Sequence, residues 1–468
     1  MSVVMDKRRF AERDPDLSGA RVLVVGLGKS GLAAARLVAA GGARVTVTDS
    51  RSEAALGDRL REARGLGATI HAGGNPPELA AEADLIVVSP GVPLGIELLR
   101  RAADAGLPIW GEAEIAARHC RGTAIGVTGS NGKSTVTTMI GTILERAGVD
   151  GRVGGNLDTP FSELLSPEDR EAVYVLELSS FQLETLHSLR PAVALILNLS
   201  PDHLDHHPSY EDYARAKARI FELQGDRGDA ILNADDEACR RFVGSARGRL
   251  HRFSTLREVE RGAFVREDRL VLRAGDGDEE LLDRSELAAP GDHNVANALA
   301  AALAARLVGC DVEAIADGLR AYRPLPHRLE YVATVRGVAF YDDSKATNPA
   351  STARALTAFE PGRIHLILGG RDKGADWSEL VRLVGERAKR VLLVGEASSA
   401  LAGRLAGVAA SVECGTVERA VAVGLAGAGD GDVVLLSPGC ASFDQYADFE
   451  ERGVDFKKSV RALEGSDA

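Results

Sequence analysis

Several short runs in this sequence combine residue types that bind phosphate, metal or charged substrates, and most of them follow a stretch rich in Val, Ile and Leu. The sharpest is Thr128-Gly129-Ser130-Asn131-Gly132-Lys133-Ser134-Thr135. Glycines let backbone N–H groups close around phosphate oxygens, and a helix start adds partial positive charge. Lys133 can then reach the outer phosphates and Ser134 can ligate Mg2+. The pattern reads as a nucleoside triphosphate loop, although Val127 stands where the strict GxxxxGK[ST] spacing has its first glycine. An ordinary glycine turn capping a helix from Thr135 is the alternative. A second run, Gly26-Leu27-Gly28-Lys29-Ser30-Gly31, is followed by Asp49 at the end of the next apolar stretch. It has the form of a dinucleotide fingerprint with Asp49 placed for a ribose. A mononucleotide or sugar nucleotide can use the same turn, as can tight strand-to-helix packing.

Carboxylates, imidazoles and amides cluster further on. Glu177 follows Tyr174-Val175-Leu176, where a carboxylate can hold Mg2+ opposite the phosphate loop. The run Asn198-Leu199-Ser200-Pro201-Asp202-His203-Leu204-Asp205-His206-His207 is either a zinc site or a solvated loop. Lys217, on a helix predicted over Tyr210–Leu223, reads in isolation as a surface lysine. In Gly291-Asp292-His293-Asn294-Val295-Ala296-Asn297 the amides either meet a base edge or Asn294 caps the helix that follows. The remaining candidates are His327-Arg328, Asp342-Asp343-Ser344-Lys345-Ala346-Thr347-Asn348-Pro349, Gly369-Gly370-Arg371-Asp372-Lys373-Gly374 and Ser437-Pro438-Gly439-Cys440-Ala441-Ser442. The last three each follow a predicted strand, so they can share one carboxyl edge of a sheet, where open α/β folds bind ligands; each can also be a polar turn. No general base stands beside Cys440, which makes thiol catalysis a poor reading.

The elements that must position these runs alternate in type. Strands are predicted at Arg21–Val25, 44–48, Leu85–Val88, 123–127, 173–176, 193–197, 338–341, 364–368, 391–394 and Val433–Leu436, with helices over 31–40 and 297–307 and an antiparallel excursion over 263–287. Apolar runs of this kind suit parallel strands covered on both faces, so the fold class is α/β. The 468 residues suggest three domains. Boundaries at 120–122 and 323–327 divide the chain into 1–120, 121–325 and 326–468. A net charge of −12 argues against a surface for nucleic acid or anionic membrane, and only nine of 56 cations are lysines, which singles those out for inspection. Five scattered cysteines do not make a disulfide framework, and the absence of a 20-residue apolar run leaves no membrane span, so a soluble cytoplasmic protein is expected.

Taken together, these runs and their order resemble the Mur ligase family, ATP-dependent amide ligases of peptidoglycan assembly. The likeness spans the chain. It is strongest to the branch that adds D-glutamate to UDP-N-acetylmuramoyl-L-alanine, through Ser179-Ser180-Phe181-Gln182-Leu183-Glu184, the run 343–348 and the ending Ser437-Pro438…Ala441-Ser442…Asp444-Gln445…Phe449. Asp158 departs from the family glycine after Gly154-Gly155-Asn156-Leu157. The resemblance implies three domains, a Rossmann-like one, a P-loop ATPase-like one and a second Rossmann-like one, acting as a monomer with ATP, D-glutamate and the UDP-linked precursor. It implies catalytic roles for Lys133, His203 and Lys217. ATP would be held by Gly129, Ser130, Asn131, Gly132, Lys133, Ser134, Thr135, Asn294, Asn297, Arg328 and Asp343. The UDP substrate falls to Lys29, Ser30, Asp49, Ser50, Arg51, Ser89, Gly91, Asn156 and His203, and D-glutamate to Lys345, Thr347, Lys373, Ser442 and Phe449. Two Mg2+ ions are implied at Ser134, Glu177, His203 and Lys217, the last as a CO2-derived carbamate. Zinc and nicotinamide recede on this reading.

Overall fold

The structure, a computed structural model, describes residues 15–166, 170–203, 206–275, 277–287, 291–323, 325–372 and 374–464. Leu204, Asp205, Pro324 and Lys373, singled out from the sequence, lie outside the described residues. The first sheet has the order Thr69–Ala72, Arg44–Asp49, Arg21–Val25, Leu85–Val88, Ile109–Gly111, all parallel. Its central strand feeds two cores. Val22 and Val24 join a cluster with Leu32, Ala35 and Val38 of the helix Lys29–Ala40, while Leu23 and Val25 join Leu98, Leu99 and Ala102 of Glu97–Asp104. Burial on both faces is why the strand reads as an unbroken apolar run. The strand order turns around Arg21–Val25, so the loops after Val25 and Val88 meet at the switch point.

In the second sheet Gly151–Gly155, Val173–Glu177, Thr123–Thr128, Val193–Ile196, Asp229–Asn233, Arg249–Ser254 and Gly262–Arg266 run parallel, and Arg269–Arg273 and Glu279–Asp283 continue it antiparallel. The expected excursion is thus the antiparallel margin of this sheet. Thr123–Thr128 lies between Val173–Glu177 and Val193–Ile196. The third sheet has the order Glu330–Val335, Val338–Asp342, Val433–Leu436, Ile364–Gly369, Ala388–Val394, Ser411–Gly415, antiparallel only at its first pair. Leu366, Leu368 and Leu435 pack on one side with Leu356 and Leu380, and Ile367, Val434 and Leu436 on the other with Val421 and Phe456.

By its internal contacts the chain forms two compact units. One holds the first two sheets, with Ala214–Asp283 and Ala298–Leu319; the other holds Ser200–Tyr213, Arg284–Asn297 and the third sheet. Among the described residues no helix is long and apolar enough to cross a membrane.

Within the first unit, the helix Glu112–His119 follows the first sheet and latches onto connections of the second. Glu114, fully buried, accepts from His187 N at 2.7 Å, Ser188 N at 2.8 Å, Ser188 Oγ at 2.6 Å and Arg118 Nε at 2.7 Å. Glu112 Oε1 accepts from Ser162 N at 2.7 Å and Ser162 Oγ at 2.6 Å, but its Oε2 is buried without a partner among the described residues. Burial pushes this carboxyl up to about 7, against the pull of the Ser162 bonds. An unfolded glutamate titrates near ~4.3, so stability present below that value is lost as pH rises towards the folded value. Melting curves of the wild type and Glu112→Gln should therefore diverge between about pH 5 and 7.5, the wild type losing stability relative to the variant. Parallel curves across that range would remove Glu112 as the source.

Candidate functional site

The phosphate loop leaves the strand Thr123–Thr128 and enters the helix Lys133–Arg146, two residues earlier than the predicted start at Thr135. Gly132 forms the cap with φ +82°, a left-handed turn that a side chain would strain. Lys133 folds back over its own loop, donating from Nζ to Gly129 O at 2.9 Å and Ser130 O at 3.0 Å. Ser134 Oγ donates to Glu177 Oε2 at 2.5 Å, and Asn156 Nδ2 donates to Glu177 Oε1 at 2.8 Å. A buried serine oxygen and carboxylate at a helix start suit a hard divalent cation, which prefers oxygen ligands. Lys217 is 2% exposed, which overturns its isolated reading as a surface lysine, and its Nζ lies 3.5 Å from Thr128 Oγ1.

Asn198, which the sequence offers only as part of a His/Asp run, clamps the phosphate loop. Its Oδ1 accepts from Asn131 N at 2.8 Å, its Nδ2 donates to Asn131 O at 3.0 Å, and its carbonyl accepts from Ser130 N at 2.9 Å. Midway along the same run His203 is held at φ +53°, with its N–H on Asp202 Oδ1 at 2.9 Å. Non-glycine residues in this region are uncommon and concentrate at functional loops. Asp158 also takes a positive φ, +38°, so this aspartate occupies a turn that glycine would enter without strain. His203 belongs to the second unit, whereas Ser134, Glu177 and Lys217 belong to the first.

At the switch point of the first sheet, Ser89 Oγ donates to Gly26 O at 2.8 Å. Gly31 lies so close that a Cβ there would stand 1.8 Å from Gly26 O, so close helix-on-strand packing is part of what this run encodes. Asp49 accepts from Leu27 N at 2.7 Å, Arg51 N at 2.8 Å and the Arg51 guanidinium at 2.9 and 2.7 Å. Burial alone would raise this carboxyl, but Arg51 and the Leu27 N–H hold it at about 2. Its acceptor positions are taken, so it anchors the glycine loop; the dinucleotide reading needs them for a ribose. Lys29 and Ser30 open the helix, Ser50 and Arg51 follow the second strand, and a Cβ at Gly28 or Gly91 would meet open space.

In the second unit, three of the sequence runs leave the adjacent parallel strands Val338–Asp342, Val433–Leu436 and Ile364–Gly369. Backbone bonds tie them, Gly439 N to Ala346 O at 2.9 Å and Arg371 N to Ala441 O at 2.9 Å. The Lys345 ammonium stands 3.6 Å from the centre of the Phe449 ring. Ser442 is buried, and Thr347 N donates to Lys345 O at 2.8 Å. His327, at φ +63°, places Nδ1 2.7 Å from Asp342 Oδ2 and its ring edge-on to Phe449. Arg328, next to it, lowers the Asp343 carboxyl by its charge, but burial dominates and lifts that carboxyl to about 7. Asn294 and Asn297 sit in the first turns of Asp292–Leu307, Asn297 Nδ2 donating to Asn294 Oδ1 at 3.4 Å. Because the helix starts at Asp292, Asn294 is not its cap.

Sequence reasoning missed Arg452. Fully buried, it donates to Ser344 Oγ at 2.9 Å, Ser344 O at 2.8 Å and Cys440 O at 3.2 Å, and burial lowers it to about 10. The signal was present: Arg452 is three residues after Phe449 and four before Phe456, on the apolar stripe of the helix Phe449–Glu464.

Three family models match successive parts of the chain. "Mur ligase MurD-like, N-terminal domain" matches residues 20–111, "Mur ligase middle domain" 127–305 and "Mur ligase, glutamate ligase domain" 327–440. Proteins named UDP-N-acetylmuramoylalanine–D-glutamate ligase are similar over nearly the full length. The one from Acidobacterium capsulatum is 47% identical over 97% of this chain and 98% of its own. The one from Myxococcus xanthus is 45% identical over 96% and 99%. Among solved structures, a pseudomurein peptide ligase type C from Methanothermus fervidus aligns with a TM-score of 0.60 at 20% identity, covering 95% of this chain and 100% of that one. A UDP-N-acetylmuramate-alanine ligase from Thermotoga maritima aligns with a TM-score of 0.59 at 18% identity, covering 95% and 99%. These two likenesses are of fold.

Replacing Asn198 by Ala removes both side-chain bonds to the Asn131 peptide. At about 1 kcal/mol each, nucleoside triphosphate binding should weaken roughly 5- to 30-fold. Calorimetric titration checks this; wild-type affinity in a folded variant would show that the loop keeps its shape unaided.

Proposed function

Because this chain belongs to the Mur ligase family, we propose that it is an ATP-dependent ligase joining D-glutamate to UDP-N-acetylmuramoyl-L-alanine in peptidoglycan precursor synthesis. The observation that carries this reading is the contact of Ser134 with Glu177 at the mouth of the phosphate loop, within a chain so similar to such ligases from end to end. The domains are 1–120 for the UDP moiety, 121–325 for ATP and 326–468 for the amino acid, and the protein works as a cytoplasmic monomer.

A carboxylate does not condense with an amine unaided, so it must first gain a leaving group. Lys133 and the loop N–H groups from Gly129 to Thr135 hold the polyphosphate, and Arg328 adds charge at the transferring group. Asn294, Asn297 and Asp343 hold adenine and ribose. Ser134, Glu177, His203 and Lys217 would hold two Mg2+ ions, which when bound would offset the negative charge of phosphoryl transfer. The alanyl carboxylate attacks the γ-phosphorus, giving an acyl phosphate and ADP; the D-glutamate amine then attacks the acyl carbon and phosphate leaves. Lys345, Thr347, Lys373, Ser442 and Phe449 orient D-glutamate, whose two carboxylates need cationic and hydroxyl partners. The UDP end is held by Lys29, Ser30, Ser50, Arg51, Ser89, Gly91, Asn156 and His203, with Asp49 fixing the loop.

His203 positions and ligates and does not act as general base. Lys217 carries a carbamate formed from CO2, a change that turns a cation into an oxygen ligand and that an arginine could not undergo. Its burial against Thr128 supports this role.

Two outcomes test the reading. Phosphate release from ATP should require the UDP-linked substrate and should rise together with amide formation when D-glutamate is added. ATPase activity independent of both substrates would instead mark a general nucleotide hydrolase. Lys217→Ala should lose most ligase activity and recover part of it with added short carboxylic acids; an unimpaired variant would sink the carbamate.

A further inference from the structure

Behind Asp343 lies a pair of hydroxyls that the proposed chemistry does not use. Ser437 and Thr352 are both fully buried. Ser437 follows the strand Val433–Leu436, next to the strand that ends at Asp342, and Asp343 N donates to Leu436 O at 2.7 Å. Ser437 Oγ donates to Asp343 Oδ2 at 2.7 Å and stands 3.2 Å from Thr352 Oγ1. Thr352 Oγ1 in turn donates to Ser437 O at 3.1 Å, so its own proton is spent on that carbonyl. Thr352 Oγ1 can therefore only accept from Ser437, and of the two acceptors the serine proton favours the nearer and charged one, Asp343 Oδ2 at 2.7 Å. Among the described residues the other oxygen of Asp343 receives only a long bond, 3.3 Å, from Leu329 N.

We propose that Ser437, backed by Thr352, is a positioning residue for the nucleotide: it occupies Asp343 Oδ2, fixes the carboxylate plane and leaves Oδ1 as the acceptor for a ribose hydroxyl. The inference rests on the reading of Asp343 as a ribose contact.

The balance around Asp343 is fine. Burial raises its carboxyl to about 7, and Asp342 adds to this, while Ser437, Leu329 N–H and Arg328 oppose it. Asp342 is itself engaged by His327, and the buried Arg452 guanidinium senses its charge. A carboxylate in this range loses acceptor capacity when it protonates. Without the serine donor it would stay protonated to higher pH.

The test uses the full chain, with ATP affinity by calorimetry and KM for ATP and for D-glutamate from about pH 6 to 9.5. Ser437→Ala should raise the ATP Kd and KM about tenfold near pH 7, with kcat and the D-glutamate KM within about twofold. The deficit should shrink towards pH 9, where Asp343 ionises without help. Ser437→Cys, similar in volume with a weaker donor, should fall between. If Ser437→Ala does not fold, the cysteine variant decides. Wild-type ATP affinity at every pH in these variants overturns the inference, as does a deficit that is constant with pH or confined to D-glutamate. Asp343→Asn separates the premise: if it leaves ATP affinity unchanged, the ribose reading of Asp343 fails; if it weakens ATP while the Ser437 variants do not, only the role of Ser437 fails.

Discussion

The hydroxyl of Ser134 meets the carboxylate of Glu177 because the strand that feeds its loop and the strand that ends in Glu177 are neighbours in a parallel sheet, and much else in the first unit follows from that adjacency. Parallel pairing makes both chains emerge on the same edge, so a loop that must wrap phosphate and a carboxylate that must face it need no further device to find one another. The strand on the other side, Val193–Ile196, delivers Asn198 to the same edge. Three consecutive strands in space, distant in sequence, thus supply the loop, the acid and the clamp.

The second unit solves a related problem with different materials. Its ligand loops are linked by buried groups whose partners lie far along the chain: Arg452 reaches Ser344 and Cys440, and Ser437 reaches Asp343 and Thr352. A buried guanidinium is expensive to desolvate, and it persists because several acceptors converge on it. This fixes loops that have little regular structure of their own.

Much of this was legible from residue order. The helix Tyr210–Leu223 was legible, and the buried strands followed from runs such as Leu85–Val88, because a strand covered on both faces is mostly apolar. The phosphate loop and Glu177 were legible because their residue types are tied to a strand end. Other features depend on partners that local sequence does not contain. Gly151–Gly155 pairs as a strand although its glycines argue against it, and Glu330–Val335 is an edge strand with mixed polarity. The burial of Lys217 and the engagement of Asp49 by Arg51 are tertiary outcomes. Helix starts slipped by two residues at Lys133 because Gly132, not the serine or threonine after it, makes the turn.

The folded-back Lys133 sets a common cost on anion binding. Its ammonium already holds two carbonyls of its own loop, so an arriving anion must compete with them. That displacement costs the same for every anion that draws the lysine outward, so it scales their affinities alike and cannot by itself rank them. What ranks them is how many further contacts a ligand makes with the loop N–H groups, so the loop backbone, and not its one cation, is where a chain of linked phosphates is told from a single one.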